Sequence, residues 1–87
     1  MRKVCFAGDG WEDYKYWQQT SRETLLKIND LLKSIERDGA MNGIGKPEKL
    51  RHIKGQYSRR IDSTNRLVYE VSADLITVIS CKGHYED

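Results

Sequence analysis

The sequence predicts an α+β fold: a short N-terminal strand, then two helices packed on one face of an antiparallel β-meander. Three observations carry this expectation. Apolar residues at three- and four-residue spacing run through positions 20–39, the period of an amphipathic helix. From Lys49 onward the period shortens, and strand-like runs are joined by turns so short that consecutive strands must pair antiparallel. The chain has 87 residues and no internal repeat, which bounds it to a single domain, residues 1–87, with one modest core.

The elements follow in order. "KVCFA" (3–7) reads as a strand by its β-favouring content. "DGWEDYKYWQQ" reads as a first helix, with Asp9 as its cap and Glu12 and Asp13 in the first turn, where acidic side chains oppose the helix dipole. Trp11, Tyr14 and Trp17 recur every third residue, so they share a face. Helical spacing alone accounts for that stripe as core or partner packing rather than a base-stacking platform. In "TSRETLLKINDLLKSIERDG", Thr20 and Glu23 have capping-box spacing. Leu25, Ile28, Leu32 and Ile35 then form the apolar stripe, widened by Leu26 and Leu31, and Gly39 stands where a left-handed cap ends a helix.

"GAMNGIGKP" (39–47) reads as a flexible glycine-rich loop. No strand feeds it and no helix opens after it, so a phosphate-cradling P-loop is excluded on context. "KLRHI", "QYSRRID", "RLVYEVS" and "LITVISCK" then supply the meander, with turns at Lys54-Gly55, Ser63-Thr64-Asn65 and Ala73-Asp74. Alternation in the third run sets Arg66 on the opposite face from Leu67.

An apolar fraction of 38% against 32% charged residues suits a folded globular chain and argues against disorder. No apolar run approaches ~20 residues, and the first residues lack a signal-peptide core, so no membrane association and a cytoplasmic location are expected. Two cysteines, Cys5 and Cys81, and two histidines make neither a disulfide framework nor a metal site. Neither a metal nor another cofactor is expected. The net charge of +2 hides an uneven distribution: residues 46–66 carry seven basic side chains against Glu48 and Asp62, while residues 1–45 balance. A basic middle of this kind is either a footprint for a polyanion or a solvated sheet face.

Four polar positions stand out on the meander: Glu48 at its entry, Arg66 at the start of the third run, and His84 and Tyr85 past the end of the fourth. The start of one antiparallel strand lies beside the end of the next, so Arg66 and the terminus are neighbours. Whether Glu48 joins them depends on strand order. Together they suit metal-free cleavage of RNA, which supplies its own 2′-hydroxyl nucleophile. Glu48 would be the general base and His84 the general acid, in keeping with their ordinary titration ranges. Arg66 would hold the non-bridging oxygens, and Tyr85 would stack on a base. Singly, each has an ordinary alternative as a salt-bridge partner or a solvated tail residue.

The succession "WEDYKYWQ", "GIGKPEKLRH", "YSRRIDSTNRLVYEV" and "SCKGHY" closely resembles the YoeB (Txe-type) toxins of bacterial type II toxin–antitoxin systems, in the RelE superfamily. The resemblance covers roughly residues 3–85. It implies a RelE/microbial ribonuclease-like fold and a ribosome-dependent mRNA endoribonuclease acting in the ribosomal A site. It carries the general base onto Glu48, the phosphate-stabilising arginine onto Arg66, and the acid and its stacking companion onto His84 and Tyr85. RNA-binding positions fall on Arg51 and Arg59, with Lys49 and Arg60 in the same basic segment. Implied partners are mRNA, the bacterial ribosome and a YefM-type antitoxin, with a homodimer expected and operator DNA reached only through the antitoxin complex. Two departures stand out: Glu86 and Asp87 follow the Tyr at which many relatives end, and Tyr57 replaces a frequent Trp.

Overall fold

A computed structural model describes residues 2–83. The elements are β1 (Lys3–Phe6), α1 (Gly10–Thr20), α2 (Arg22–Asp38), β2 (Glu48–Lys49), β3 (Gln56–Arg60), β4 (Arg66–Val71) and β5 (Leu75–Ser80). The α+β class holds. The strands form one sheet in the order β1-β5-β4-β3-β2. β2 to β5 are the antiparallel meander, and β1 adds to β5 in parallel at the far edge, so the sheet is mixed. A parallel neighbour needs a long crossover, and α1 with α2 begins it.

Both helices lie on one face. Ile28, Leu31 and Ile35 of α2 and Trp17 of α1 pack with Leu67 and Tyr69 of β4 and Ile76 and Val78 of β5. Removing these side chains from water supplies the main driving force, on the order of 1.5–3 kcal/mol for each large one. Gly10 lets α1 start hard against the sheet, because a Cβ there would overlap the Val78 carbonyl. The aromatic stripe of α1 is graded: Trp17 is buried, Tyr14 is half-buried, and Trp11 is 48% exposed while packing on Phe6. Tyr14 donates to Asn29 of α2 at 2.7 Å, tying the helices together.

Several local expectations are corrected. Ser21 separates the helices and caps α2, its Oγ accepting the Thr24 N–H at 3.2 Å, whereas Thr20 is the last residue of α1. Asp9 precedes α1 without a side-chain capping bond. Leu26 lies outside the buried stripe, 47% exposed. Gly39 has positive φ but extended ψ (95° and 179°), so it ends α2 without a true left-handed cap. The first meander strand contracts to two residues, and residues 50–55 form a loop.

The glycine-rich loop is also not loose. Arg59 points from β3 into the core side and is fully buried. Its five N–H donors reach the Tyr69 hydroxyl (2.8 Å), the Ser34 hydroxyl (2.9 Å) and the carbonyls of Ile44 (2.9 Å), Gly39 (2.8 Å) and Asn42 (2.7 Å). The loop thus wraps a guanidinium. Gly43 and Gly45, both at positive φ, are required because a side chain at either would collide with Ser34 or Leu31.

Candidate functional site

The sheet face away from the helices carries the candidate residues, and register puts them together. Glu48 pairs with Ser58, Ser58 with Val68, and Arg60 with Arg66. Directly paired residues, and those two apart on a strand, share a face, so Glu48, Ser58, Arg60 and Arg66 all project to this side. Strand order therefore does bring Glu48 across. With strands about 4.8 Å apart, Glu48 stands about 10 Å from the β4 backbone, a span two long side chains can close. Between them lies Ser58, buried, whose Oγ accepts an N–H of the Arg66 guanidinium at 3.4 Å.

Arg60 and Arg66 face each other directly across β3 and β4. Like charges at paired positions weaken a sheet, and an anionic ligand would relieve them. A pocket lined by Arg60, Asp62, Ser63 and Arg66 opens beside this pair. On the other side of Glu48, Lys49, Arg51 and Lys54 line a second, larger pocket with Tyr57. Lys49, Arg51 and Arg60 are exposed, but only Arg60 shares the open face with Glu48: Lys49 pairs with Tyr57 and Tyr57 with Tyr69, which turns Lys49 to the opposite face at the β2 edge. Arg59 is not on the open face either. The resemblance carried an RNA-binding position onto it, but alternation along β3 turns it to the core, where the loop consumes its donors.

The chain beyond β5 is held at two points. Cys81 donates its N–H to Asp13 Oδ2 (2.9 Å), and its carbonyl accepts Trp17 Nε1 (2.8 Å). Gly83 donates to Asn65 Oδ1 (2.8 Å), and its carbonyl accepts the Arg66 N–H (3.0 Å). The start of β4 and the segment after β5 are therefore neighbours, as the meander implied. His84 and Tyr85, and the following Glu86 and Asp87, lie outside the described residues.

Burial raises the Cys81 thiol to about 12, and the Asp13 carboxylate pushes the same way, so this sulfur is no nucleophile at neutral pH. Asp62 is held below the usual carboxylate range. Desolvation is the largest single influence and opposes this, but bonds from the Asn65 side chain and from the Thr64 and Asn65 N–H groups together outweigh it. Among the described residues no group of three or more His, Cys, Asp or Glu is placed to hold a metal ion, and no helix is long and apolar enough to cross a membrane. Sequence reasoning missed Ser58 and the Asp62–Asn65 pair. An Asp three residues before an Asn in a tight turn is the signal that could have found the latter.

Residues 6–85 match the family model described as the YoeB-like toxin of bacterial type II toxin–antitoxin system. The chain is 42% identical to "Toxin YoeB" of Escherichia coli K12, covering 95% of this chain and 99% of that one. Its structure is similar to a YoeB dimer from Staphylococcus aureus, with a TM-score of 0.92 and 52% identity over 97% of this chain and 98% of that one. It is similar also to the toxin in a heterotetrameric YoeB–YefM toxin–antitoxin complex from the same organism, with a TM-score of 0.90 and 51% identity over 98% and 99% of the two chains.

Proposed function

The chain belongs to the YoeB-like toxins of bacterial type II toxin–antitoxin systems, and from that premise we propose that it is an endoribonuclease that cuts translated mRNA in the ribosomal A site. The observation that carries the proposal is the convergence of Glu48 and Arg66 on one open sheet face, from strands separated by β3. A carboxylate and a guanidinium at this separation can flank one phosphodiester.

The steps use groups the chain supplies. Glu48 accepts the proton of the RNA 2′-hydroxyl, and the 2′-oxygen forms a bond to phosphorus. Arg66 neutralises charge growing on the non-bridging oxygens, an interaction stronger in the transition state than in the ground state. The P–O5′ bond breaks, and His84 protonates the departing oxygen. Tyr85 stacks on a base to keep the attack in line. The products are a 2′,3′-cyclic phosphate (or the 3′-phosphate after its opening) and a 5′-hydroxyl. No metal or other cofactor enters.

Arg60 would bind the RNA backbone beside this centre, and Lys49 and Arg51 would meet it where the RNA strand passes around the β2 edge. The same basic face fits an acidic segment of a YefM-type antitoxin, in line with the YoeB–YefM complexes of the Staphylococcus relatives. A homodimer, as in another Staphylococcus relative, and operator binding through the antitoxin complex belong to the same reading. Action on translating ribosomes sets it in the bacterial cytoplasm.

The test is 5′-end mapping of a reporter mRNA during cell-free bacterial translation, with wild type beside Glu48→Gln and His84→Gln. Cuts at ribosome-occupied codons should appear with wild type and fall by ~10² or more with either variant, the usual contribution of an acid or base. Translation arrest with intact mRNA, unchanged in the variants, would instead make the protein a non-catalytic ribosome-binding module.

A further inference from the structure

Beyond β5, both backbone groups of Cys81 and both of Gly83 are hydrogen-bonded. Side chains of α1 take both groups of Cys81, and the β3–β4 turn takes both groups of Gly83. The second clamp has a built-in orientation. Asn65 Nδ2 lies 3.2 and 3.1 Å from the two oxygens of Asp62, which only accept, so the amide oxygen must turn outward to the Gly83 N–H. Asp62 is fixed in turn, because its Oδ1 accepts the N–H groups of Thr64 (2.8 Å) and Asn65 (2.7 Å). Neither side chain belongs to the core, and both are adjacent in sequence or space to Arg66.

We propose that Asp62 and Asn65 are positioning residues for the general acid: they lock Gly83 to the backbone of Arg66, so that the acid on the next residue acts on the phosphate Arg66 holds. This rests on the reading of His84 as that acid. One hydrogen-bonded chain, Asp62 to Asn65 to Gly83, ties the residue before His84 to the turn that precedes Arg66. A reacting group displaced by about 1 Å can lose ~10²-fold in rate, so a loosened clamp should be visible in the chemical step.

The test must separate acid positioning from general weakening of the fold. A single-turnover assay on ribosomes programmed with mRNA allows this, comparing ordinary RNA with RNA carrying sulfur in place of the 5′-bridging oxygen at the cut. With sulfur, the 2′-oxygen still bonds to phosphorus and Glu48 still takes its proton. The P–S bond then breaks with its electron pair leaving on sulfur, and a thiolate, a far weaker base than an alkoxide, departs without a proton. Asn65→Ala should cut ordinary RNA ~10-fold or more slowly, with unchanged affinity for the programmed ribosome, and should regain near-wild-type speed on the sulfur substrate. Asp62→Ala should show the same pattern more weakly, and it serves if the first variant folds poorly. Equal losses on both substrates, or no loss on ordinary RNA, would overturn the positioning role. His84→Gln is the control. If sulfur fails to rescue it, His84 is not the acid, and both readings fall together.

Discussion

On the core side of the sheet, Arg59 gives every N–H donor to the protein, closing the loop from Gly39 to Ile44 around itself. On the open side, Arg60 is exposed, and Arg66 makes one long side-chain bond, to Ser58, among the described residues. The three are alike in charge, and two are neighbours in sequence. Their difference comes from β alternation alone, which sends successive side chains to opposite faces. A buried guanidinium is tolerated only when its donors are met, and the carbonyl-lined loop meets them. Arg60, exposed, and Arg66, half-buried, need no such shell and stay available to an anion. One arginine builds the frame, and the other two lie on the open face.

The comparison can be broken first at Arg59. Arg59→Ala should cost about 3–5 kcal/mol, because it leaves a cavity, takes a donor from the Ser34 and Tyr69 hydroxyls and strands the carbonyls of Gly39, Asn42 and Ile44. A urea unfolding curve measures this, and a loss below about 1 kcal/mol would mean the loop holds itself.

The core side can also be sharpened by pH. Cys81 has a folded value raised from 9.0 to about 12 by burial and by Asp13. Tyr69 is raised too, chiefly by burial, with Arg59 opposing. Groups raised in the folded state contribute stability that is full below their unfolded values and is lost as pH rises. From neutral pH upward, unfolding midpoints should therefore be flat to about pH 9 and then fall. Cys81→Ala should flatten that fall, and an identical slope in the variant would contradict the assignment.

Arg60 carries the smallest expected effect. Arg60→Ala should leave the unfolding midpoint nearly unchanged. It should weaken RNA binding with little dependence on sequence, lowering the salt slope of log affinity by about one unit. Filter binding at several salt concentrations reads this directly.

Much of this frame was legible in the chain. The stripe from Leu25 to Ile35 had to be a helix, because its period admits no strand, and the short turns after Gly55 had to join antiparallel strands. Leu26 misled because one apolar residue beside a stripe satisfies the same count without being covered. Thr20 and Ser21 both fit a cap, and only the break between α1 and α2 decides for Ser21. The parallel addition of β1 was not legible, since pairing across more than 60 residues leaves no local mark. At the candidate site, Glu48 and Arg66 were singled out from residue type and order, but their convergence needed the strand order. Arg59 was carried to the RNA by the resemblance, and matching motifs does not register which face a side chain takes. The pairing of Asp62 with Asn65 could be suspected from the turn, but the grip on Gly83 spans 18 residues and needed coordinates.

The most direct test of the division between the two faces is Arg66→Ala, with cleavage on programmed ribosomes and urea unfolding measured on the same preparation. We expect cleavage to fall by ~10²–10³-fold, as for loss of a group that stabilises transition-state charge, while stability changes by no more than about 0.5 kcal/mol. Loss of stability on the scale of Arg59→Ala, or cleavage that survives unchanged, would contradict the account.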